Sequence, residues 1–292
     1  MKIYAKSKFD KNIYDKIKKG AKAIELHLDD NFVANPTHWD EEIVSNVVID
    51  VVHAPLCNGN DTNIERLENR EILRQTCEFA KKIAIAQNHS VLVVCHLGTN
   101  PKLLKQLGVY DELVQFMQNL AEEYKELEFA IENITRFKND FRNGILGFKD
   151  VDFMSPITLA KDINHPRVGT CLDTCHALID IRLIEHAAAY VDKEAQCKNA
   201  EYISEMEAFF DANKDTIKLI HLSNAKTHGL DHDHGMPFAK EDSERLREIL
   251  RLYYKYDYKC PITLEVRESD YTDAKNFEIT YQTVLKTLAE IQ

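Results

Sequence analysis

The chain has 292 residues, and its 44% of hydrophobic and 29% of charged residues are ordinary for a globular protein. The formal net charge of −11 disfavours a nucleic-acid partner, because binding to phosphates depends largely on Lys and Arg. No apolar run approaches the roughly 20 residues of a membrane span, the first residues lack the apolar core of a secretory signal, and the seven cysteines are scattered. We therefore predict a cytoplasmic protein without membrane contact.

Short apolar runs rich in β-forming residues recur along the chain, and each is followed by a longer charged segment. In chain order these runs cover residues 2–7, 23–28, 47–56, 91–98, 129–134, 168–176, 217–225 and 261–266. Apolar residues at intervals of three and four predict helices over residues 63–87, 243–255 and 276–291. Strands that alternate with helices predict a parallel sheet covered by helices.

Eight such units in just under 300 residues fit a (β/α)8 barrel, whose usual length is about 250 residues. The competing doubly wound sheet usually has a glycine-rich first turn, whereas this chain contains nine glycines and no GxGxxG sequence. We predict a single-domain (β/α)8 TIM barrel over residues 1–292. The long segment from Leu178 to Asp215 is interpreted as an insertion that shapes the mouth of the barrel or an oligomer contact.

Imidazole or carboxylate side chains stand at the ends of six successive predicted strands. In a (β/α)8 barrel the carboxyl ends of the strands form one mouth, where active sites are built. The side chains in question are those of His53, His96, Glu132, Asp173, His176, His221 and Glu265, and His234 follows the seventh strand. A single histidine at a strand end is more often structural, but a series of this length predicts a metal site.

The donor types indicate which ions the site would hold. Mixed imidazole and carboxylate donors suit zinc, manganese, cobalt or iron, and an isolated buried carboxylate is costly unless it is paired or binds metal. One six-coordinate ion could be held by Glu132, Asp173, His221 and Glu265. The remaining histidines could hold one or two more ions, zinc most readily, or could support ligands and bind substrate hydroxyls. We predict one to three divalent ions per chain, with zinc or manganese favoured.

Two other groups of residues in these runs are less informative. Cys95 and Cys171 fall inside strands and are predicted to be small buried core residues. Glu25 and His27 alternate toward one face of the second run, so that either could line the barrel.

With these residues in place, the chain resembles the xylose isomerase-like barrel superfamily, which includes sugar isomerases and epimerases and the endonuclease IV class of abasic-site nucleases. The resemblance spans essentially all eight strands. The sequences that carry it are VVHAPL, VCHLG, AIENI, CLDTCHAL, IHLSNAK and DHGMPF. It implies that Glu132, Asp173, His221 and Glu265 form a shared metal site.

The nuclease branch implies more metal ions than the sugar-acting branch. By resemblance to it, His53 and His96 match ligands of a further zinc, and His176 and His234 match those of a third. The nuclease pattern has an Asp-x-His pair where this chain has HDHG, so that Asp231, His232 or neither would be the partner of His234. The chain also has ENITRFKND in place of a glycine-rich stretch, and KIYAKS in place of a GxHxS-like opening.

The leading hypothesis is a metal-dependent isomerase or epimerase that acts on a ketose or sugar phosphate. The ion would chelate two neighbouring substrate oxygens and stabilise an enediolate, while Glu132 and Glu265 would remove and return the proton. Substrate hydroxyls or a phosphate would be oriented by His176, Lys226 or Arg267.

The alternative hypothesis is a zinc-dependent phosphodiesterase that acts on abasic DNA, and only this alternative involves nucleic acid. Clustered zinc ions would activate a water and neutralise the leaving oxygen. The resemblance to the sugar isomerases also implies a homo-oligomer, since isomerases of this kind are often dimers or tetramers.

Overall fold

The computed structural model describes the chain in seven stretches. They are residues 1–57, 60–61, 63–134, 154–179, 206–228, 231–268 and 273–291. Most of the predicted insertion between Leu178 and Asp215 lies outside them. Within them, eight parallel strands close into a barrel, which confirms the predicted (β/α)8 fold.

The strands of the barrel alternate with helices along the chain. In chain order the strands are β1 (Ile3–Ser7), β2 (Ile24–His27), β3 (Ile49–His53), β4 (Leu56–Cys57), β5 (Asn60–Asp61), β6 (Val91–Leu97), β7 (Leu127–Asn133), β8 (Val168–Asp173), β9 (Ile217–Leu222), β10 (Asn224–His228), β11 (Asp231–Met236) and β12 (Ile262–Leu264). Around the barrel the order is β1, β12, β9, β8, β7, β6, β3, β2. The pairs β4–β5 and β10–β11 are antiparallel and lie outside the barrel.

Ten helices, which we number α1 to α10, and one further helical segment occur in the described part of the chain. The numbered helices are α1 (Ile13–Lys18), α2 (Asp30–Ala34), α3 (Glu41–Asn46), α4 (Asn69–Gln87), α5 (Pro101–Gln106), α6 (Tyr110–Glu123), α7 (Ser155–Ile163), α8 (Met206–Asn213), α9 (Ser243–Lys255) and α10 (Lys275–Ile291). Residues 174–179 are also helical, and a 3-10 turn covers Lys240–Asp242. None of the helices described here has both the length and the apolar character to cross a bilayer.

The predicted helices over residues 243–255 and 276–291 are confirmed by α9 and α10, whereas α4 begins later than the predicted start at residue 63. Before α4 the chain follows the neighbouring strand instead. Asn63 forms a bridge with His96, and the backbone N–H of Ile64 donates to the His96 carbonyl at 3.0 Å.

The barrel interior has an apolar layer, here called the floor, beneath the mouth. Its residues are Tyr4, Ala23, Val51, Val94, Ala130, Cys171 and Leu219. Alternate residues of a strand share a face, so that Cys171 lies in the floor and Asp173 lies above it at the mouth. Cys171 is 2% exposed and Cys95 is fully buried, as predicted for both.

Two boundaries near the mouth differ from the prediction. The sixth predicted strand ends at Asp173 rather than at His176, because the Asp173 carboxylate accepts a hydrogen bond from the His176 backbone N–H (2.8 Å) and helical residues follow. The seventh predicted strand, over residues 217–225, ends as β9 at Leu222, and the chain continues into β10, which pairs with β11. Gly235, in β11, has a positive φ of 71°, and a Cβ at this position would lie 2.9 Å from the Arg267 Cγ. Both observations favour glycine here.

Candidate metal centre

Four side chains from neighbouring strand ends converge at the mouth, and we refer to them as the quartet. They are Glu132, Asp173, His221 and Glu265, whose ligand atoms lie within 4.8 Å of one another. The parallel register places them: β8 and β9 align Asp173 with His221, and Glu265 follows the last residue of β12. Glu132, Asp173 and His221 are almost completely buried.

Several atoms of the quartet are buried without a hydrogen-bond partner. Among the described residues, Asp173 Oδ2, His221 Nδ1 and Glu265 Oε2 have none. His221 Nδ1 lies 2.7 Å from Glu265 Oε2 and 3.3 Å from Glu132 Oε1, but its approach to Glu265 Oε2 lacks hydrogen-bond geometry. Buried acceptors without partners are costly. A divalent cation among these atoms would satisfy them, so that the donor set fits a metal.

The two carboxylate oxygens of Glu132 face different histidines: Oε1 faces His221, and Oε2 faces His53 and His96. Oε2 lies 3.1 Å from Nε2 of both His53 and His96. His53 Nδ1 donates to the Ala54 carbonyl at 2.7 Å, and burial lowers the pKa of His53, so that a neutral ring directs the lone pair of Nε2 at the carboxylate. Two acceptors that face each other at this distance fit a shared cation. The three side chains form a second potential ligand group.

A third potential ligand group consists of Asp173, His176 and His234. The two imidazole rings are stacked, with centroids 4.7 Å apart and planes inclined by 28°. His176 Nδ1 donates to the Asn133 carbonyl at 2.7 Å. Both ring nitrogens of His234 are buried and have no hydrogen-bond partner among the residues that the structure describes. The side chains of Asp231 and His232, the other predicted partners of His234, lie outside the described part.

The carboxylates give the mouth a negative potential. Burial opposes a charge on His176, but Asp173 and Glu132 outweigh it and raise the pKa of His176 to about 10. Burial likewise disfavours the charged form of His221, yet the neighbouring anionic groups raise its pKa well above the usual range. Burial raises the pKa of Asp173 to about 6. The same potential would attract a metal cation, which displaces protons from its ligands when it binds.

A cavity of about 250 Å³ opens beside the quartet, between the first and last strands of the barrel. Lys6, His27, His234, Glu265 and Arg267 contribute to its wall. A second cavity, of about 660 Å³, shares Lys8, Asp10 and His27 with the first and continues past Phe9 and Phe32. A small polar ligand could therefore reach the quartet from this side of the mouth.

The three predicted substrate-binding residues lie in different places. Arg267 is exposed on the wall of the smaller cavity. His176 stacks on His234, which contributes to that wall. Lys226 is exposed on β10 and is not among the residues that line either cavity in the described part of the chain.

Three further residues hold the site together, and the sequence reasoning did not single out two of them. Asn133 clamps the end of β8, because its Oδ1 accepts from the Asp173 N–H (2.8 Å) and its Nδ2 donates to the Asp173 carbonyl (3.0 Å). Lys6 forms an ion pair with Glu265. Glu25, predicted only to line the barrel, contacts His221. Glu25 stands in an apolar run as Glu132 does, and this signal could have identified it.

Comparisons with known proteins place this geometry in a family context. The model of the xylose isomerase-like TIM barrel family matches residues 18–288. No curated protein matches the sequence. Among solved structures, a D-tagatose 3-epimerase-like protein is similar over 100% of both chains, with a TM-score of 0.63 and 18% identity.

Two other solved structures share the fold at lower identity. A xylose isomerase domain protein from Planctomyces limnophilus matches with a TM-score of 0.64 and 11% identity, over 100% of this chain and 97% of its own. Endonuclease IV from Thermus thermophilus matches with a TM-score of 0.57 and 13% identity, over 98% of this chain and 100% of its own. The family match covers most of the sequence, and the chain belongs to the xylose isomerase-like TIM barrel family.

Proposed function

We propose that the protein is a divalent-metal-dependent sugar isomerase or epimerase that acts on a ketose or a sugar phosphate. The observation that carries the proposal is the quartet, in which buried polar atoms of Asp173, His221 and Glu265 lack hydrogen-bond partners among the described residues. The two adjoining cavities, of about 250 and 660 Å³, together have the scale of a small-molecule site. The fold shared with an epimerase-like protein over the whole chain supports the same reaction class.

The residues of the quartet divide the work between them. A divalent ion held by Glu132, Asp173, His221 and Glu265 would polarise neighbouring oxygens of the substrate. Asp173 and His221, the most deeply buried, serve to hold it. Proton transfer needs a carboxylate beside the substrate carbon. Glu265, which contributes to the cavity wall, would remove the proton, and Glu132 would return it from the side of β7.

Groups on the cavity wall would orient the rest of the substrate. The guanidinium of Arg267 is exposed there and can bind hydroxyls or a phosphate. His27 has a buried Nδ1 without a hydrogen-bond partner among the described residues, and burial lowers its pKa to about 3. A neutral imidazole of this kind can exchange hydrogen bonds with sugar hydroxyls.

A second candidate, zinc-dependent phosphodiester hydrolysis, is favoured by one specific observation. The three potential ligand groups are linked, since Glu132 belongs to the quartet and to the group of His53 and His96, while Asp173 belongs to the quartet and to the group of His176 and His234. Linked groups suit a cluster of ions, which can activate water and stabilise a leaving oxygen. The net charge of −11 and the small cavity favour the sugar substrate over DNA.

Metal content and activity distinguish the two candidates. Protein purified without a histidine tag is analysed for bound metal, then assayed on a panel of ketoses and ketose phosphates by NMR and on a duplex that contains an abasic site. About one ion per chain with ketose conversion supports the isomerase or epimerase. Two to three zinc ions with nicking of the duplex, and ketoses left unchanged, would overturn it in favour of the nuclease.

A further inference from the structure

A chain of charged contacts runs behind the quartet, from β12 across β1 and β2 to β9. Lys6 Nζ lies 2.8 Å from Glu265 Oε1 and 3.5 Å from Glu25 Oε1. The other oxygen of Glu25, Oε2, lies 2.9 Å from His221 Nε2. We call these two contacting residues, Lys6 and Glu25, the brace. The brace joins two members of the quartet, Glu265 and His221, on the side away from their unpartnered atoms.

Burial makes the brace an expensive arrangement. Glu25 and His221 are completely buried, and the side chain of Lys6 is 11% exposed. A buried ion pair seldom stabilises a fold more than well-packed apolar residues of similar size would. The interior just below shows that this barrel can be filled with apolar side chains, since the floor contains residues such as Val51 and Val94. A role at the site accounts better for the brace than stability does.

The geometry of the contacts indicates what that role is. The Glu25 carboxylate can only accept, so His221 donates its Nε2–H to it, and Nδ1 would offer its lone pair once the ion displaces the proton there. Nδ1 is the atom that faces the quartet, 2.7 Å from Glu265 Oε2. On the other side, Lys6 engages Glu265 Oε1 and leaves Oε2 directed to the same point. Carboxylates that orient a ligating histidine in this way commonly tune metal affinity.

We infer that Glu25 is a positioning residue of the metal centre, which fixes the ring of His221 as a ligand, and that Lys6 is its counter-ion and holds Glu265. This inference rests on the metal site of the proposed function, and it concerns affinity for the ion rather than the reaction catalysed.

Zinc titration of Glu25 variants tests the inference. The full chain is stripped of metal, and its zinc dissociation constant is measured by competition with a chromogenic chelator. We expect Glu25→Ala to weaken zinc binding by about 10- to 100-fold, the usual effect of removing such a partner. Glu25→Gln keeps an oxygen that can accept from Nε2–H, so it should recover most of the loss. The visible spectrum of the Co²⁺-loaded protein should change in Glu25→Ala and return toward wild type in Glu25→Gln.

Glu128→Gln is the matched control, because Glu128 is also a barrel-strand carboxylate paired with a lysine, Lys218, at 2.6 Å, but it lies away from the quartet. Its zinc affinity should equal that of the wild type. Where Glu25→Ala does not fold, Glu25→Asp replaces it: the charge is kept but the reach is shorter, so zinc binding should still weaken. Wild-type affinity in a folded Glu25→Ala or Glu25→Asp protein would overturn the positioning role.

Lys6→Met tests the counter-ion. Without the lysine, Glu25 and Glu265 lose their cation and Glu265 is no longer held, so the metal-free melting temperature should fall and zinc should raise it by less than in the wild type. An unchanged melting temperature and zinc response would overturn this part of the inference. If the wild-type protein binds neither zinc nor manganese, the proposed function is wrong. If the wild type binds zinc and all Glu25 variants bind it equally well, only the positioning role of Glu25 is wrong.

Discussion

The two ends of the barrel differ in whether their buried or partly buried polar side chains have protein partners. At the amino ends of the strands, Tyr4 OH donates to Asp50, which also lies 3.2 Å from His89 Nε2, and Lys218 pairs with Glu128 at 2.6 Å. Each of these groups has a protein partner. At the mouth, buried acceptors of the quartet have none among the described residues.

A single strand shows the contrast most directly. Glu128 and Glu132 both belong to β7 and share a face, because side chains alternate along a strand. Glu128 is partly exposed and neutralised by Lys218, whereas Glu132 is buried among imidazoles. Polar groups that satisfy one another contribute to stability, and polar groups left incomplete by the fold indicate a ligand.

The largest effect is expected from Glu132→Gln, which removes the carboxylate shared by the quartet and the His53–His96 group. We expect turnover to fall by about 10³-fold, within the range for losing a positioned acid or base, and bound metal to be lost. Steady-state kinetics and metal analysis of the folded variant measure both.

The same substitution at the other end, Glu128→Gln, sharpens the comparison. It removes one partly exposed ion pair and should cost roughly 0–1 kcal/mol of unfolding free energy with normal activity. Full activity in Glu132→Gln, or lost activity in Glu128→Gln, would contradict the division between the two ends.

Metal addition should stabilise the protein through the mouth alone. A ligand that binds only the folded state at 100 times its dissociation constant adds about 2.7 kcal/mol to the unfolding free energy. We expect zinc or manganese to raise the melting temperature of metal-free wild type, with little effect on Glu132→Gln. Differential scanning fluorimetry with and without a chelator measures the shift, and an equal response in both proteins would place the binding elsewhere.

Tyr4→Phe tests the end of the barrel at which the strands begin. The substitution leaves Asp50 without its hydroxyl donor and should cost about 1.5–2 kcal/mol, as for a hydrogen bond to a charged group. Urea denaturation measures the loss. Zinc affinity should stay at the wild-type value, because the floor, which contains Tyr4, separates Asp50 from the quartet. A weakened zinc affinity would show that the two ends of the barrel are coupled.

A further effect concerns His27 and acidic pH. Burial, with Lys6 and His53 nearby, lowers the pKa of His27 to about 3, whereas the unfolded histidine has its ordinary value near 6.5. The unfolded state therefore binds the extra proton first, so that stability is present above pH 6.5 and is lost progressively as the pH falls toward 3. We expect a loss of about 1 kcal/mol per pH unit between pH 6 and 5 from this group.

Urea denaturation of the metal-free protein at several pH values measures that slope. His27→Gln should flatten it, and His38→Gln, a change at an exposed histidine on the same side of the barrel, should leave it unchanged. An equal slope in wild type and His27→Gln would show that other groups, such as His234, account for the acid sensitivity.

The fold and the quartet were predictable because each depends on a local pattern. The alternation of apolar runs and helical segments determined the barrel, and in a barrel every strand ends at one mouth, so that Glu132 and Glu265 had to meet although they are distant in sequence. The brace could not be predicted in this way. The contact between Lys6 in β1 and Glu265 depends on barrel closure, which places β1 beside β12, and the local sequence around Lys6 does not indicate it.

The errors arose where a short segment has more than one use. His176 was predicted at a strand end, but the Asp173 carboxylate caps helical residues there. Lys226 is exposed on the β10–β11 hairpin, and its role in substrate binding stays a prediction. The single domain over residues 1–292, the homo-oligomer, the cytoplasmic location and the identity of the metal stay predictions.

The contact between Lys6 and Glu265 ties the assembly of the site to the order of synthesis. Lys6 belongs to the first strand of the barrel, and Glu265 follows the last. During translation the chain emerges amino end first, so that Lys6 lacks this partner until the last barrel strand and Glu265 have been made. A shortened chain that ends before Ile262 would keep most of the helices and strands, yet it would have neither a closed barrel nor a complete quartet. Capture of the proposed ion would thus be a late event, which reports that the first and last strands of the barrel have met.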